Sequence, residues 1–278
     1  MWITIITAYK LKYNSNNKAF VWNEKKTDFA NEIYHYLYIP MQKNNSDLIL
    51  QKRAAGEKAV EYVENGMVVG LGTGSTVKFT IEKLAANVKE GLEISAVSTS
   101  AKTTSLAESL GIKVIDLEEV DSIDLTIDGA DEIDPDLNGI KGGGGALLYE
   151  KIVAASSKKN IWIVDSTKFV ERLGKFPLPL EVLQFGSEKT FSKLSSLGYS
   201  PEFRMDGEKY FVTEDKNYTI DLSLNYIDDP YKLEEELKLF PGVIETGLFL
   251  NICDVAIIGR ENDCEIIISD KKKAGHTK

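Results

Sequence analysis

The stretch Met67-Val68-Val69-Gly70-Leu71-Gly72-Thr73-Gly74-Ser75-Thr76 decides the fold. Its first half, MVVGL, is an apolar run without polar alternation, the pattern of a strand buried on both faces in a parallel sheet. Its second half is a glycine-rich turn, and helical periodicity follows it to about Val88. Glycines allow the backbone a tight turn and a close approach to a ligand. Free N–H groups at a helix start attract an anion. The hydroxyls of Thr73, Ser75 and Thr76 add donors. The dinucleotide fingerprint requires glycine at position 75, where Ser75 stands. The phosphate-loop pattern requires a Gly-Lys-Ser/Thr that does not follow. The turn therefore reads as a small phosphate or sugar-phosphate cradle, against the plain alternative of a tight turn with no ligand.

The same rhythm continues on both sides. Ser46 is placed to cap a helix from about Asp47 to Glu64, with Gly66 just past its end. After the turn and its helix, the pattern predicts strand Ile94–Val97, helix Ala101–Leu110 closed by Gly111, and strand Lys113–Ile115. Strand Ile123–Ile127 runs into Asp128-Gly129-Ala130-Asp131, and a helix from about Ala146 to Ser156 precedes strand Ile161–Val164. Strands alternating with helices across short connections predict a parallel α/β sheet. Pro177 and Pro179 mark a break. Residues 180–247 then read strand, helix (Glu188–Leu197), a hairpin-like group of strands and a helix near Tyr231–Leu239, a small α+β unit. Val255–Gly259 and Ile266–Ser269 read as strands returning to the first sheet. The expected organisation is an extension at 1–46, a Rossmann-like domain at 47–174 and 248–278, and a small domain at 175–247.

Composition narrows the chemistry. A net charge of −10 over 278 residues argues against broad nucleic-acid binding, which needs a basic face. The two histidines, His35 and His276, stand near the ends, so the body between them has none. That disfavours Ser-His-Asp and Cys-His catalysis and His-based zinc sites. Cys253 and Cys264 lie in apolar runs with no CxxC pair, as reduced structural thiols of a cytosol-like compartment do. Acid–base chemistry falls to carboxylates and lysines. Residues 1–46 differ from the rest: seven Asn, six Lys, nine aromatics and only Glu24, Asp28 and Glu32 as acids. The sequence has no run of 18 apolar residues, and MWITIITAY lacks a preceding basic region, so neither a membrane span nor a secretory signal is expected.

Three further clusters carry candidate chemistry. From Asp116 to Asp136 there are ten acids and no base, a pattern that usually marks a solvated face. Asp128 and Asp131 are different, because they directly follow an apolar strand, and ligands of parallel sheets bind at the carboxyl ends of strands. Asp134, Asp136, Asn138 and Gly139 imitate the start of a calcium loop, but Gly145 stands where the bidentate glutamate belongs. Lys141 followed by Gly142-Gly143-Gly144-Gly145 and a helix could stabilise an oxyanion with its ammonium and free amides. Glu150 sits on a helix apolar on both faces, where a carboxylate is costly unless paired or used. Desolvation raises such a carboxyl toward the range of a general base. Lys151 is the alternative, a plain salt-bridge partner on the same helix.

In this order the sequence resembles ribose-5-phosphate isomerases of type A. The likeness covers about residues 47–260 and rests on GLGTGST at 70–76, TSAKTTSLAESLGI at 99–112, DLTIDGADEID at 124–134, IKGGGGALLYEKI at 140–152 and IVDSTK at 163–168. Five motifs in one order are specific where one would not be. The resemblance implies a Rossmann-like domain with a smaller ferredoxin-like domain. It implies interconversion of D-ribose 5-phosphate and D-ribulose 5-phosphate in the non-oxidative pentose phosphate pathway, without metal or organic cofactor, in a cytoplasmic homodimer or larger homo-oligomer, with no nucleic-acid or membrane partner. By the same resemblance Glu150 is the base, Asp128 and Asp131 handle the sugar hydroxyls, and Lys141 with the amides of Gly142, Gly143 and Gly144 stabilises the enediolate. Gly129 and Ala130 line the sugar site, and Thr73, Gly74, Ser75, Thr76, Lys168 and Lys52 bind phosphate. The competing reading is a sugar-phosphate sensor without catalysis, since fold alone does not decide function. A sensor has no need of Glu150, Asp128, Asp131 and Lys141 together. Deaminases or lactonases of similar fold are expected to use a histidine, which the body lacks. Residues 1–46 have no counterpart in the family pattern.

Overall fold

The computed structural model describes residues 10–13, 19–22, 45–261 and 263–270. His35, His276, the lysines at 271–273 and most of the 1–46 extension lie outside the described residues. The chain divides into two units, Met1–Asp47 and Leu48–Lys278. In the first, β1 (Lys10–Tyr13) pairs antiparallel with β2 (Ala19–Trp22).

The second unit is built on a six-stranded sheet. Its strands are β3 (Val68–Leu71), β4 (Ser95–Ser98), β5 (Leu125–Asp128), β8 (Asn160–Asp165), β16 (Val255–Gly259) and β17 (Cys264–Ile268), in the order β17-β16-β8-β5-β3-β4. All pairings are parallel except β16 with β17. β5, β8 and β16 are buried at every position, as strands covered on both faces must be. The helices α1 (Asn45–Ala59), α2 (Val77–Lys89) and α3 (Ala101–Ser109) contribute Ala55, Ile81, Leu84 and Ala107 to a core with Leu71, Ile127, Ile163 and Ile257. The chain leaves β3 for β4 on one side and returns to β5 on the other. This makes the carboxyl ends of β3 and β5 a topological switch point, where open α/β sheets form their ligand crevice.

A small sheet follows the expected break. It holds β9 (Leu178–Val182), β10 (Pro201–Phe203), β13 (Tyr218–Leu222) and β14 (Val243–Thr246), with α5 (Ser187–Ser196) and α6 (Pro230–Lys238) between them. The order β10-β13-β9-β14, antiparallel throughout, with the succession βαββαβ, is a ferredoxin-like arrangement. Its core joins Leu178, Leu180, Leu194, Ile220, Leu222 and Leu237. A short ribbon of β11 (Met205–Asp206) and β12 (Lys209–Tyr210) extends from it. A three-stranded sheet of β6 (Glu132–Ile133), β7 (Gly139–Ile140) and β15 (Leu248–Phe249) ties the end of the small sheet to the segment carrying Lys141.

Three local expectations are corrected. The first helix starts at Asn45, so Ser46 lies inside it, and it ends at Ala59 before a 3-10 turn at Val60–Tyr62. The segment 113–115 makes only an isolated bridge, Val114 with Ala96 at the sheet edge. Pro179 stands inside β9 rather than in a break. It is accommodated where β14 has ended: the register stops at Thr246 opposite Leu180, and Gly247 passes close to the proline ring.

Candidate active site

The glycine turn after β3 and the Asp128–Asp131 segment after β5 meet at the switch point, and the sequence dictates how closely. A β-carbon on Gly72 would lie 1.8 Å from Asp128 Oδ1, so only glycine lets the two strand ends approach. Asp128 Oδ1 accepts from Gly129 N–H at 2.7 Å and Thr73 N–H at 3.2 Å. Its other oxygen lies 2.8 Å from Lys141 Nζ. Lys141 also donates to the carbonyl of Gly129 at 2.7 Å and stands 3.0 Å from Glu150 Oε2. Glu150 projects from α4 (Leu147–Ala155), whose buried residues are Leu147, Glu150, Val153 and Ala154. The opposite face is less buried than expected, with Ile152 43% exposed. Lys151 points elsewhere, to Glu245 at 2.8 Å and Glu234 at 3.5 Å on the small sheet and its helix.

Asp128, Lys141 and Glu150 are therefore two acids around one cation, each no more than 4% exposed. Water cannot disperse the excess negative charge, and the titrations are coupled. Burial pushes the Glu150 carboxyl up to about 8; Lys141 opposes the rise and the Asp128 charge adds to it. Burial raises Asp128 too, against the pull of Lys141 and the two amides. Burial alone would lower Lys141, but Asp128 and Glu150 outweigh it and hold the ammonium above the ordinary lysine value. The Lys141 ammonium also lies 5.2 Å from the ring of buried Phe249.

A cavity of about 170 Å³ opens over this group. It is lined by Glu150, Lys141, Asp131, Gly129, Ala130, Gly142 and Gly144, and by Thr73, Gly74, Ser75, Thr76, Lys52 and Lys168. Two expected site residues do not line it. Asp128, 2% exposed, instead contacts the Lys141 ammonium and the glycine turn. Gly143 is turned away, its N–H donating to Asp131 Oδ2 at 2.7 Å. Thr73 lines the cavity, but its hydroxyl joins Thr99 and Ser100, both at 2.8 Å, in a cluster that ties the turn to the start of α3. The amides of Ser75 and Thr76, just before α2, make no hydrogen bond among the described residues. Free amides at a helix start attract anions, and Lys52 stands beside them, donating to Ser75 Oγ at 3.1 Å.

Asp165 also lines the cavity, 2% exposed and 3.8 Å from Lys52. Its signal in the sequence is its place at the end of an apolar strand, the same place Asp128 holds. Arg204, which reaches the carbonyl of Gly142 at 2.7 Å, had no local signal at all. In the loop that imitates the start of a calcium site, Asp134 Oδ1 accepts from Asn138 N–H at 2.8 Å, and no group of three or more acids, histidines or cysteines among the described residues is placed to hold a metal ion. Cys253 and Cys264 are unbridged.

A buried carboxyl with a titration near neutrality, paired with an ammonium at the switch point of a Rossmann-like sheet, places the molecule among the α/β enzymes that move protons on small ligands. The family model described as ribose 5-phosphate isomerase A (phosphoriboisomerase A) matches residues 95–263. The ribose-5-phosphate isomerase A of Limosilactobacillus reuteri is 54% identical over 210 residues, 75% of this chain and 92% of its own length. The crystal structure of ribose 5 phosphate isomerase A from Neisseria gonorrhoeae superposes with a TM-score of 0.75 at 42% identity, over 80% of this chain and 97% of that one. A D-ribose-5-phosphate isomerase in complex with phospho-erythronic acid gives 0.76 at 38%, over 78% and 97%. The chain belongs to the ribose 5-phosphate isomerase A family.

Proposed function

We infer that this chain is an aldose–ketose isomerase that interconverts D-ribose 5-phosphate and D-ribulose 5-phosphate through an enediolate. The observation that carries the reading is Glu150, buried at the cavity wall 3.0 Å from Lys141 with its carboxyl raised to about 8. From aldose to ketose, the Glu150 carboxylate takes the proton from C2. The C2–H electron pair becomes the C1=C2 bond and the aldehyde oxygen becomes the oxyanion. Glu150 returns the proton to C1, and the hydroxyl proton on O2 passes to O1, leaving the ketone at C2. Lys141 and the Gly144 amide stand where negative charge would be stabilised, and Asp131 faces the sugar hydroxyls. Asp128 holds Lys141 and the glycine turn in place. The phosphate belongs at the other end, with Lys52, Lys168, Ser75, Thr76 and the start of α2. Carboxylates and phosphate repel, so this separation sets the direction in which the substrate lies.

The reading extends to the pentose phosphate pathway, a cytoplasmic place, a homo-oligomer and a division of labour between 47–174 with 248–278 and the small domain 175–247. Family membership supports these points, and no helix among the described residues is long and apolar enough to cross a membrane. The net charge of −10 argues against broad nucleic-acid binding. The decisive experiment is a ribose 5-phosphate to ribulose 5-phosphate assay with a chelator present. Turnover is expected to persist. Binding of the sugar phosphate without turnover would favour the sensor instead, and loss on chelation would require a metal.

A further inference from the structure

We propose that Arg204 is a positioning residue of this reaction: by capturing the carbonyls of Gly142 and Gly143, it aims the Gly144 amide at the cavity. The inference rests on the isomerase reading and deepens it. Arg204 lies between β10 and β11, its own backbone fixed by bonds to Thr219 and Phe211 at 2.9 and 2.8 Å. Its guanidinium holds Asp221 with two N–H groups, Nε to Oδ2 at 2.9 Å and Nη2 to Oδ1. The remaining fork reaches into the loop, Nη1 donating to Gly142 O at 2.7 Å and Gly143 O at 3.3 Å. The side chains of Arg204 and Asp221 are 16% and 22% exposed, so the clamp is largely shielded from solvent.

The consequence follows from peptide geometry. A trans peptide is planar, and its carbonyl and N–H point in opposite directions. Holding Gly142 O toward Arg204 sends the Gly143 N–H the other way, and it is found on Asp131. Holding Gly143 O sends the Gly144 N–H away from Arg204 as well. Gly144 lines the cavity, and its amide makes no hydrogen bond among the described residues. The loop has no side chains with which to fix itself. It is a turn closed by Gly145 N–H on Gly142 O at 3.0 Å, and its backbone would be costly to order without an external brace. Phe211 completes the brace, packed so closely that a β-carbon on Gly145 would fall 2.4 Å from its ring. A donor already aimed where charge develops needs no reorganisation during the reaction. The planar fork matters: a lysine ammonium cannot hold a carboxylate with two N–H groups and a carbonyl with a third in one geometry.

The test compares Arg204→Met, Arg204→Lys and Asp221→Asn with the unchanged chain. The readouts are ribose 5-phosphate kinetics, binding of phospho-erythronic acid, binding of inorganic phosphate, and thermal melting. In Arg204→Met, kcat is expected to fall about ten- to a hundredfold while KM moves less than about threefold. Affinity for phospho-erythronic acid should fall in step with kcat, and affinity for inorganic phosphate should hold. Arg204→Lys should recover only part of the loss, and Asp221→Asn should show a smaller fall in kcat at unchanged KM. A folded Arg204→Met with normal kcat overturns the proposal, and so does a loss spread equally over kcat, KM and phosphate affinity. If Arg204→Met does not fold, Arg204→Lys and Asp221→Asn decide by the same criteria. An unchanged chain that does not turn over ribose 5-phosphate refutes the isomerase reading itself; an active chain with indifferent variants refutes only the role of Arg204.

Discussion

Replacing Glu150 by glutamine separates its cost from its use. The carboxyl is raised from 4.5 to about 8 by burial. The folded protein therefore keeps the Glu150 proton up to about pH 8, whereas the unfolded chain releases it near 4.5. Stability from this group is fully present below 4.5 and is lost as pH rises through about 8. The whole rise corresponds to roughly 5 kcal/mol, at about 1.4 kcal/mol per pH unit. Glutamine has the same shape and no titration, and Lys141 keeps Asp128 at 2.8 Å as its partner. The difference in stability between the unchanged chain and Glu150→Gln should thus drift in favour of the variant by about 3 kcal/mol between about pH 5.5 and about pH 9. In melting experiments that is on the order of 10 °C. Turnover of ribose 5-phosphate by the variant should be lower by about two to four orders of magnitude, with substrate still bound. In the unchanged chain kcat/KM should rise with pH through the same value near 8, because only the carboxylate is a base. Melting curves that stay parallel across this range, or an activity profile that titrates near 4.5, would refute the argument. Near-normal turnover in the variant would remove Glu150 as the base.

Other outcomes test the remaining parts. Lys168→Ala is expected to raise KM about tenfold or more with kcat little changed, since phosphate binding is common to ground and transition states; a fall in kcat alone would assign Lys168 a different role. Gly72→Ala should lower the melting temperature by several degrees, an overpacking cost of about 1–3 kcal/mol, and reduce turnover as Asp128 is pushed from Lys141; an unchanged melt would mean that the turn relaxes freely. Removal of residues 1–44 should leave kcat/KM within about twofold, because every cavity-lining residue is at Lys52 or beyond. An inactive truncation would give the extension a part in the catalytic fold.

Much of the fold was legible because its signals are local. Apolar runs such as MVVGL, glycine turns and helical spacing report burial and backbone freedom over a few residues, and they located β3, β5, α2, α4, β8 and β16 to within two or three residues. The register of the edges was less legible. The segment around Val114 has strand composition but makes a single bridge, and Pro179 is tolerated in β9 because β14 ends beside it. Neither fact is written at those positions.

The division is sharpest at the active site. By itself the sequence determined which residues are candidates for the chemistry: a hydroxyl-rich glycine turn, acids at a strand end, Lys141 before four glycines, and Glu150 on an apolar helix, in a body without histidine. Only the tertiary structure decided how they are arranged. It paired Glu150 with Lys141 and sent the adjacent Lys151 to the small sheet. It set Asp128 against the ammonium instead of in the cavity lining, and it brought Arg204 to a loop about 60 residues earlier. The reason is that a charge's energy depends on how much water is excluded and on which opposite charge lies within a few ångströms. Both depend on the packing of distant segments, and no local pattern in the chain encodes them.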